Sequence, residues 1–134
     1  MKPEPDYKYM TVCPQTVTRY RTLGEVRTLM TERGFRHLPV VDESAIVGVL
    51  SQREVELVLA AGGPDAVKLT VESAMTPEPY IVTPDADLAE VAREMAARRC
   101  GSAIVVDQAS VVGVFTTVDA LLALARFTSR DDTK

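Results

Sequence analysis

The sequence predicts a mixed α/β fold in which one βαββα unit occurs twice, and two observations carry that prediction. The chain aligns with itself at a fixed offset of 65 residues, from Met10 to Ala60, without a gap. Within each copy, apolar residues at helical spacing give way to two short, continuously apolar runs and then to a second helical stretch.

The self-alignment is dense. Met10-Thr11 falls on Met75-Thr76, Pro14 on Pro79, and Val17-Thr18 on Val82-Thr83. Leu23, Glu25 and Val26 fall on Leu88, Glu90 and Val91, while Met30 and Arg33 meet Met95 and Arg98. Val40-Val41-Asp42 matches Val105-Val106-Asp107, and Val47-Gly48-Val49 matches Val112-Gly113-Val114. Matches sustained at one offset along the chain mark a duplication.

Each element follows from local chemistry. Extended pieces at Thr16 to Thr18 and Ile81 to Thr83 lead into a helix in each copy. Thr22 with Glu25, and Asp87 with Glu90, have the spacing of a capping box, in which N-cap and N3 side chains satisfy each other's backbone amides. Leu23, Val26, Leu29 and Met30 give the first helix an apolar stripe, as Leu88, Val91 and Met95 give the second. Gly34 is placed to end the first helix, and Cys100-Gly101 the second. The runs Leu38 to Val41 and Ile46 to Leu50, with Ala103 to Val106 and Val111 to Phe115, read as buried strands. Closing helices are predicted over about Gln52 to Ala61 and Thr117 to Phe127. Gly62-Gly63-Pro64 stops the first of these and marks the joint between copies.

Composition narrows the function classes. The chain has 134 residues, 46% hydrophobic and 25% charged, and a formal charge of −4. An acidic balance disfavours nucleic acid, whose phosphates need a basic face, and the absence of Trp removes the best stacking platform. No apolar run approaches a membrane span. The acid- and proline-bearing start, Met1 to Asp6, is unlike a signal peptide, so a cytoplasmic location is expected. Two cysteines, Cys13 and Cys100, and one histidine, His37, supply neither a disulfide framework nor a metal set.

The segment Arg36-His37-Leu38-Pro39-Val40-Val41-Asp42, followed by Val47-Gly48-Val49-Leu50-Ser51, resembles the hallmark of the CBS family. In copy two the matching residues are Gly101 to Asp107 and then Val112-Gly113-Val114-Phe115-Thr116-Thr117-Val118-Asp119. Met10-Thr11 and Met75-Thr76 stand where family members commonly begin each motif. The resemblance covers roughly residues 8 to 127 and is that of a tandem CBS pair, or Bateman module. It places motif one at 7–62, a linker at 63–69 and motif two at 70–127, with loose termini at 1–6 and 128–134. It implies βαββα units related by a pseudo-twofold axis, with strands pairing within each unit and helices packing between them. It also implies a homodimer, and a free-standing pair acting on a separate target protein.

The family likeness further implies regulation through adenosine-containing ligands held in clefts between the motifs. AMP, ADP or ATP are the first candidates, with S-adenosylmethionine and NAD sharing the adenosine half. The element Thr116-x-x-Asp119 would hold ribose and phosphate, facing Thr18, Arg36, His37 and Pro39. A carboxylate can accept ribose hydroxyls, and free amides at a helix N-terminus favour phosphate. A second, weaker cleft would use Ser51 and Glu54 with Thr83, Ser102 and Ile104. There Glu54 replaces the usual Asp, and Ile104 stands where the first copy has Pro39.

Plainer roles exist for the same residues. Asp119 sits where a first-turn acid stabilises a helix dipole, and Thr18 and Thr83 are residues that continue strands or open turns. Arg93, Arg98 and Arg99 read as a solvated helix face. Cys100 stands in the place of Phe35 and so favours packing, while Cys13 falls in a predicted loop, open to a thiol role. Neither a nucleophile with its base nor a phosphate-binding loop is present, so catalysis is not expected. The competing class is a structural dimerisation module without ligand.

Overall fold

The computed structural model describes residues 4–129. Residues 1–3 and 130–134, parts of the expected loose termini, lie outside the described residues. In chain order the elements are β1 (Thr11–Val12), β2 (Val17–Thr18), α1 (Leu23–Arg33), β3 (His37–Asp42), β4 (Ala45–Ser51), α2 (Gln52–Ala61), β5 (Thr76–Pro77), β6 (Tyr80–Val82), α3 (Leu88–Arg98), β7 (Ser102–Asp107), β8 (Ser110–Thr116) and α4 (Thr117–Ser129). The chain forms two compact units, one of Gln15–Pro79 and one of residues 4–14 with 80–129. The predicted α/β class and its repeated unit are what the structure shows.

In the first unit the sheet order is β2-β3-β4-β5. β2 runs parallel to β3, and β3 and β4 form an antiparallel hairpin with Leu38 opposite Leu50. Helix α1 begins with the expected capping box: Thr22 accepts from the Glu25 amide and Glu25 accepts from the Thr22 amide. It ends where Gly34 turns left-handed at φ 74° and donates to the Met30 carbonyl at 2.8 Å. Leu23, Val26 and Met30 are buried along one stripe of α1, and Leu38, Val40, Leu50 and Val55 are buried beside them in the same unit. Each such burial contributes roughly 1.5–3 kcal/mol.

The stretch 63–69, expected as a linker, is ordered. Pro64–Lys68 forms a 3-10 turn with Ala66 buried, and the Leu69 carbonyl accepts the Leu23 amide at 2.8 Å, capping α1. Gly24 and Gly62 let this turn approach the helices: a Cβ on Gly62 would stand 2.7 Å from that of Ala66.

The second unit repeats the plan, with order β1-β8-β7-β6 and β6 parallel to β7. Val82, Leu88, Val91, Met95, Ala103, Val105, Phe115 and Ala123 form its core. The β7–β8 hairpin turns through Gln108 and Ala109, both at positive φ (49° and 66°), as two-residue hairpin turns of the twisted kind require. Helix α4 runs to Ser129, two residues beyond the predicted end.

Several expectations are corrected here. Strands do not pair only within their own repeat. β1, from the first repeat, pairs antiparallel with β8, and β5, from the leading stretch of the second, pairs with β4. The Met-Thr pairs therefore start each repeat but finish the other repeat's sheet. Asp87 makes no side-chain cap; the Leu88 amide is instead donated to the Glu4 carbonyl at 2.6 Å. Arg99, not Cys100-Gly101, takes the left-handed position at φ 56° that ends α3, because α3 keeps the register of α1 and Arg99 aligns with Gly34. Holding a side chain there costs about 1–2 kcal/mol.

The glycine of each Val-Gly-Val run explains the exchanged strands. A Cβ on Gly113 would lie 2.6 Å from the Met10 sulfur and 2.7 Å from the Thr11 carbonyl oxygen. On Gly48 it would lie 2.6 Å from the Met75 sulfur and 2.8 Å from the Thr76 carbonyl oxygen. The thioether can yield, but the backbone oxygen cannot without loosening the strand pair. Gly113→Ala is expected to lower stability by about 1–3 kcal/mol, read as a fall in thermal midpoint, with faster amide exchange concentrated in β1.

Residues 4–6, expected to be loose, are tied down, as is Tyr7. Asp6 and Tyr7 donate their amides to the Ala86 and Pro84 carbonyls at 2.9 and 3.2 Å, and Pro5 bridges Asp87. The Asp6 carboxyl is fully buried, and among the described residues neither of its oxygens has a hydrogen-bond partner. Burial, and then the neighbouring Asp85 charge, push it up to about 7. A raised carboxyl pKa means the folded state prefers the protonated form. Its contribution is therefore greatest in acid and is lost as pH climbs from the ordinary value of 3.8 to about 7. Asp6→Asn should remove that slope: compared with wild type across pH 4 to pH 8, the variant gains relative stability as pH rises, by up to a few kcal/mol on the order expected for such a shift.

Candidate functional site

In both units a strand runs directly into a helix, so its last residue becomes the helix N-cap. Ser51 caps α2 and Thr116 is the last residue of β8 before α4. These are the hydroxyls of the two predicted ligand elements, and their acids sit three residues on. Thr116 accepts the Asp119 amide at 3.2 Å, while its own amide donates to Asp119 Oδ2 at 2.9 Å and its hydroxyl to the same oxygen at 3.0 Å. Ser51 accepts the Glu54 amide at 3.1 Å, and its amide donates to Glu54 Oε1 at 2.8 Å. Both pairs thus close a reciprocal cap, which the sequence reading had assigned only to Thr22 and Asp87.

The structure adds one residue to each element. The Thr11 hydroxyl donates to Asp119 Oδ1 at 3.1 Å and Oδ2 at 3.3 Å. The Thr76 hydroxyl donates to Glu54 Oε2 at 2.5 Å. Thr11 and Thr76 are the threonines of the two Met-Thr pairs, delivered by β1 and β5. Sequence reasoning used them to mark where each motif begins and missed this role. Their recurrence at the common offset beside Ser51/Thr116 and Glu54/Asp119 was the available signal, but only the strand exchange shows which acid each meets.

The extra methylene of Glu54 does not break the pattern. Glu54 keeps the bond to its N-cap amide and the bond to the leading-strand threonine, as Asp119 does. The elements differ in enclosure: Thr116 and Asp119 are 7% and 8% exposed, whereas Ser51 and Glu54 are half-buried.

The remaining predicted residues divide between the units. Thr18 (exposed, end of β2), Arg36 (exposed), His37 (half-buried) and Pro39 (buried) belong with Ser51 and Glu54 in the first unit. His37 is the direct cross-strand partner of Ser51, and the Arg36 carbonyl accepts the Gln52 amide at 2.8 Å. Thr83, Ser102 and Ile104 belong with Thr116 and Asp119 in the second. Ser102, buried, lies opposite Thr116, and Ile104 lies opposite Val114. The Thr83 hydroxyl donates to Asp85 at 2.6 Å.

Other candidates resolve locally. Cys13 is buried at 2% exposure, which removes the reactive loop thiol. Arg98 is engaged rather than free: it bonds Glu94 at 2.7 Å and lies 4.4 Å from the centre of the Tyr80 ring. Arg19, beside Thr18, pairs with Asp42 at 3.0 Å and with Glu72, pinning the stretch that leads to β5. Among the described residues no group of His, Cys, Asp and Glu is arranged to hold a metal ion, and no helix is long and apolar enough to cross a membrane.

The model of the CBS domain matches this chain twice, over residues 6–60 and 71–126, and the chain belongs to that family as a tandem CBS pair. Among curated relatives, an uncharacterized protein of Methanocaldococcus jannaschii is 30% identical over 85% of the chain, which spans 42% of that relative's length. The CBS domain-containing protein YhcV of Bacillus subtilis is 28% identical, over 82% of this chain and 78% of that one. Among solved structures, a putative acetoin utilization protein (AcuB) from Vibrio cholerae superposes with a TM-score of 0.73 over 99% of both chains, at 26% identity. The CBS domain of a bacterial CNNM/CorC family Mg2+ transporter, in complex with ATP, gives a TM-score of 0.70 at 28% identity, over 87% and 84% of the two chains.

Proposed function

We propose that this chain is a non-catalytic regulatory module that binds an adenosine-containing ligand, with Asp119 and Thr116 as its principal anchors. The observation that carries the reading is the pre-set acid. A carboxylate fixed by its N-cap amide sits at the start of α4, where the positive end of the helix dipole favours an anion. Ribose hydroxyls suit the acid and phosphate suits the helix start, so AMP, ADP and ATP come first; S-adenosylmethionine lacks the phosphate, while NAD shares both groups. The ATP complex of the related transporter CBS domain supports this class of ligand. Thr18, Arg36, His37 and Pro39 complete the proposed set for that ligand, and Ser51, Glu54, Thr83, Ser102 and Ile104 a second. Ligand acts on an unidentified target by its differential affinity for two packing states.

Asp119→Ala is the direct test. AMP, ADP or ATP at about a hundred times its dissociation constant should stabilise wild type by roughly 2.7 kcal/mol. The variant, although about 1 kcal/mol less stable through its lost cap, should show no ligand shift against its own baseline. Equal shifts in both proteins would move the site elsewhere, and no shift with any adenosine compound would favour a ligand-free interaction module.

We also propose a homodimer. Val118, Leu121 and Leu122 leave an apolar stripe of α4 about 60% exposed, a spacing that suits helix-on-helix packing. Leu121→Glu should then shift the species seen by analytical ultracentrifugation from dimer to monomer, and a wild-type monomer would dispose of the idea.

A further inference from the structure

The Asp119 carboxylate is nearly saturated before any ligand arrives. An ionised carboxylate offers about four lone-pair positions, two on each oxygen. Oδ2 already accepts the Thr116 amide and the Thr116 hydroxyl, and Oδ1 accepts the Thr11 hydroxyl. One well-placed position remains, on Oδ1, whereas a vicinal diol brings two O–H donors. The Thr116 amide cannot leave without unwinding the helix start, and the Thr116 hydroxyl is buried and also accepts the Asp119 amide. Thr11 is the partner that can yield. It is exposed, and it belongs to a two-residue strand at the edge of the sheet.

The Glu54 element is built differently. Among the described residues Oε1 accepts only the Ser51 amide and Oε2 only the Thr76 hydroxyl, which leaves about two positions open, one on each oxygen. A diol can therefore be accepted there without displacing Thr76. Among the described residues the Ser51 hydroxyl, unlike the Thr116 hydroxyl, adds no donor to its acid.

We propose that Thr11 is an affinity-determining residue, an internal competitor for the Asp119 carboxylate that a ribose diol must displace, so that ligand binding at Asp119 loosens β1 while binding at Glu54 leaves β5 docked. This rests on the ligand reading given above. It turns the leading strand, held to β8 at Thr11 and Val12, into the part of the chain that reports occupancy. The two elements then differ in whether they transmit binding, beyond any difference in strength.

The test is calorimetric titration of the full chain with AMP, and with ATP and S-adenosylmethionine in parallel, for wild type, Thr11→Val, Thr11→Ser and Thr76→Val. Removing the competing hydroxyl should tighten binding at the Asp119 site roughly tenfold, the usual size for one hydrogen bond to a charged group. Thr11→Ser should behave as wild type, and Thr76→Val should gain no affinity. Amide exchange supplies the second readout: saturating ligand should speed exchange in β1 of wild type and leave it unchanged in Thr11→Val. Unaltered or weaker binding by Thr11→Val, with wild type binding normally, overturns the competitor role and leaves the ligand reading standing. Absence of binding by every protein, Thr11→Val included, overturns both.

Discussion

The close approach of each leading strand to a glycine is the constraint on which the rest of the structure depends. Met10 and Thr11 can lie against Gly113 only because that residue has no Cβ, and Met75 and Thr76 against Gly48 for the same reason. With a side chain in either place the strand would stand off, the fourth strand of the sheet would be lost, and the threonine could not reach its acid. One missing methyl group thus links the packing of the sheet edge to the chemistry of the carboxylate three residues into the following helix.

The same acids carry two jobs that are physically compatible. Capping needs a carboxylate that accepts the N-cap amide, which fixes its position and leaves its outer lone pairs pointing at whatever lies beyond the helix start. Asp119 and Glu54 both meet that condition. A first-turn acid that merely helps its helix and an acid that anchors a ligand are therefore one geometry, and the distinction lies in what else donates to it. Thr11 and Thr76 each occupy part of that capacity, and among the described residues the N-cap residues differ in what they add: Thr116 donates its amide and its hydroxyl to Asp119, Ser51 its amide alone to Glu54.

The N-terminal stretch matches its counterpart in the second repeat, where Leu69 to Glu72 are tied to residues 19–23 by the corresponding bonds, but it carries Asp6 where the counterpart buries Val71. Glu4 to Tyr7 are stitched to residues 84–88, and Asp6 is buried there with its carboxyl unpartnered among the described residues. The Glu4 carbonyl replaces the cap that Asp87 was expected to provide. In the first unit the corresponding service to α1 comes from the Leu69 carbonyl, inside a stretch whose Gly-Pro composition reads as a joint. Both helices are thus capped by backbone from the segment leading to the exchanged strand, a form of symmetry that side-chain patterns do not record.

The sequence by itself determined the duplication, the element order, the buried strands and the first capping box. These depend on spacings of a few residues and on a repeat visible at one offset, while Thr116 and Asp119 were singled out as a pair by the family resemblance of the segment that holds them. The end of α3 was misjudged by one residue, since a left-handed Arg99 is unfavourable locally and is imposed by the register α3 shares with α1. Tertiary structure alone decided that β1 and β5 change sheets, that Thr11 meets Asp119 across 108 positions, and that Asp6 is buried. A two-residue strand carries too little pattern to declare its partner, and which backbone it can approach is settled by a distant glycine, Gly113 for β1 and Gly48 for β5.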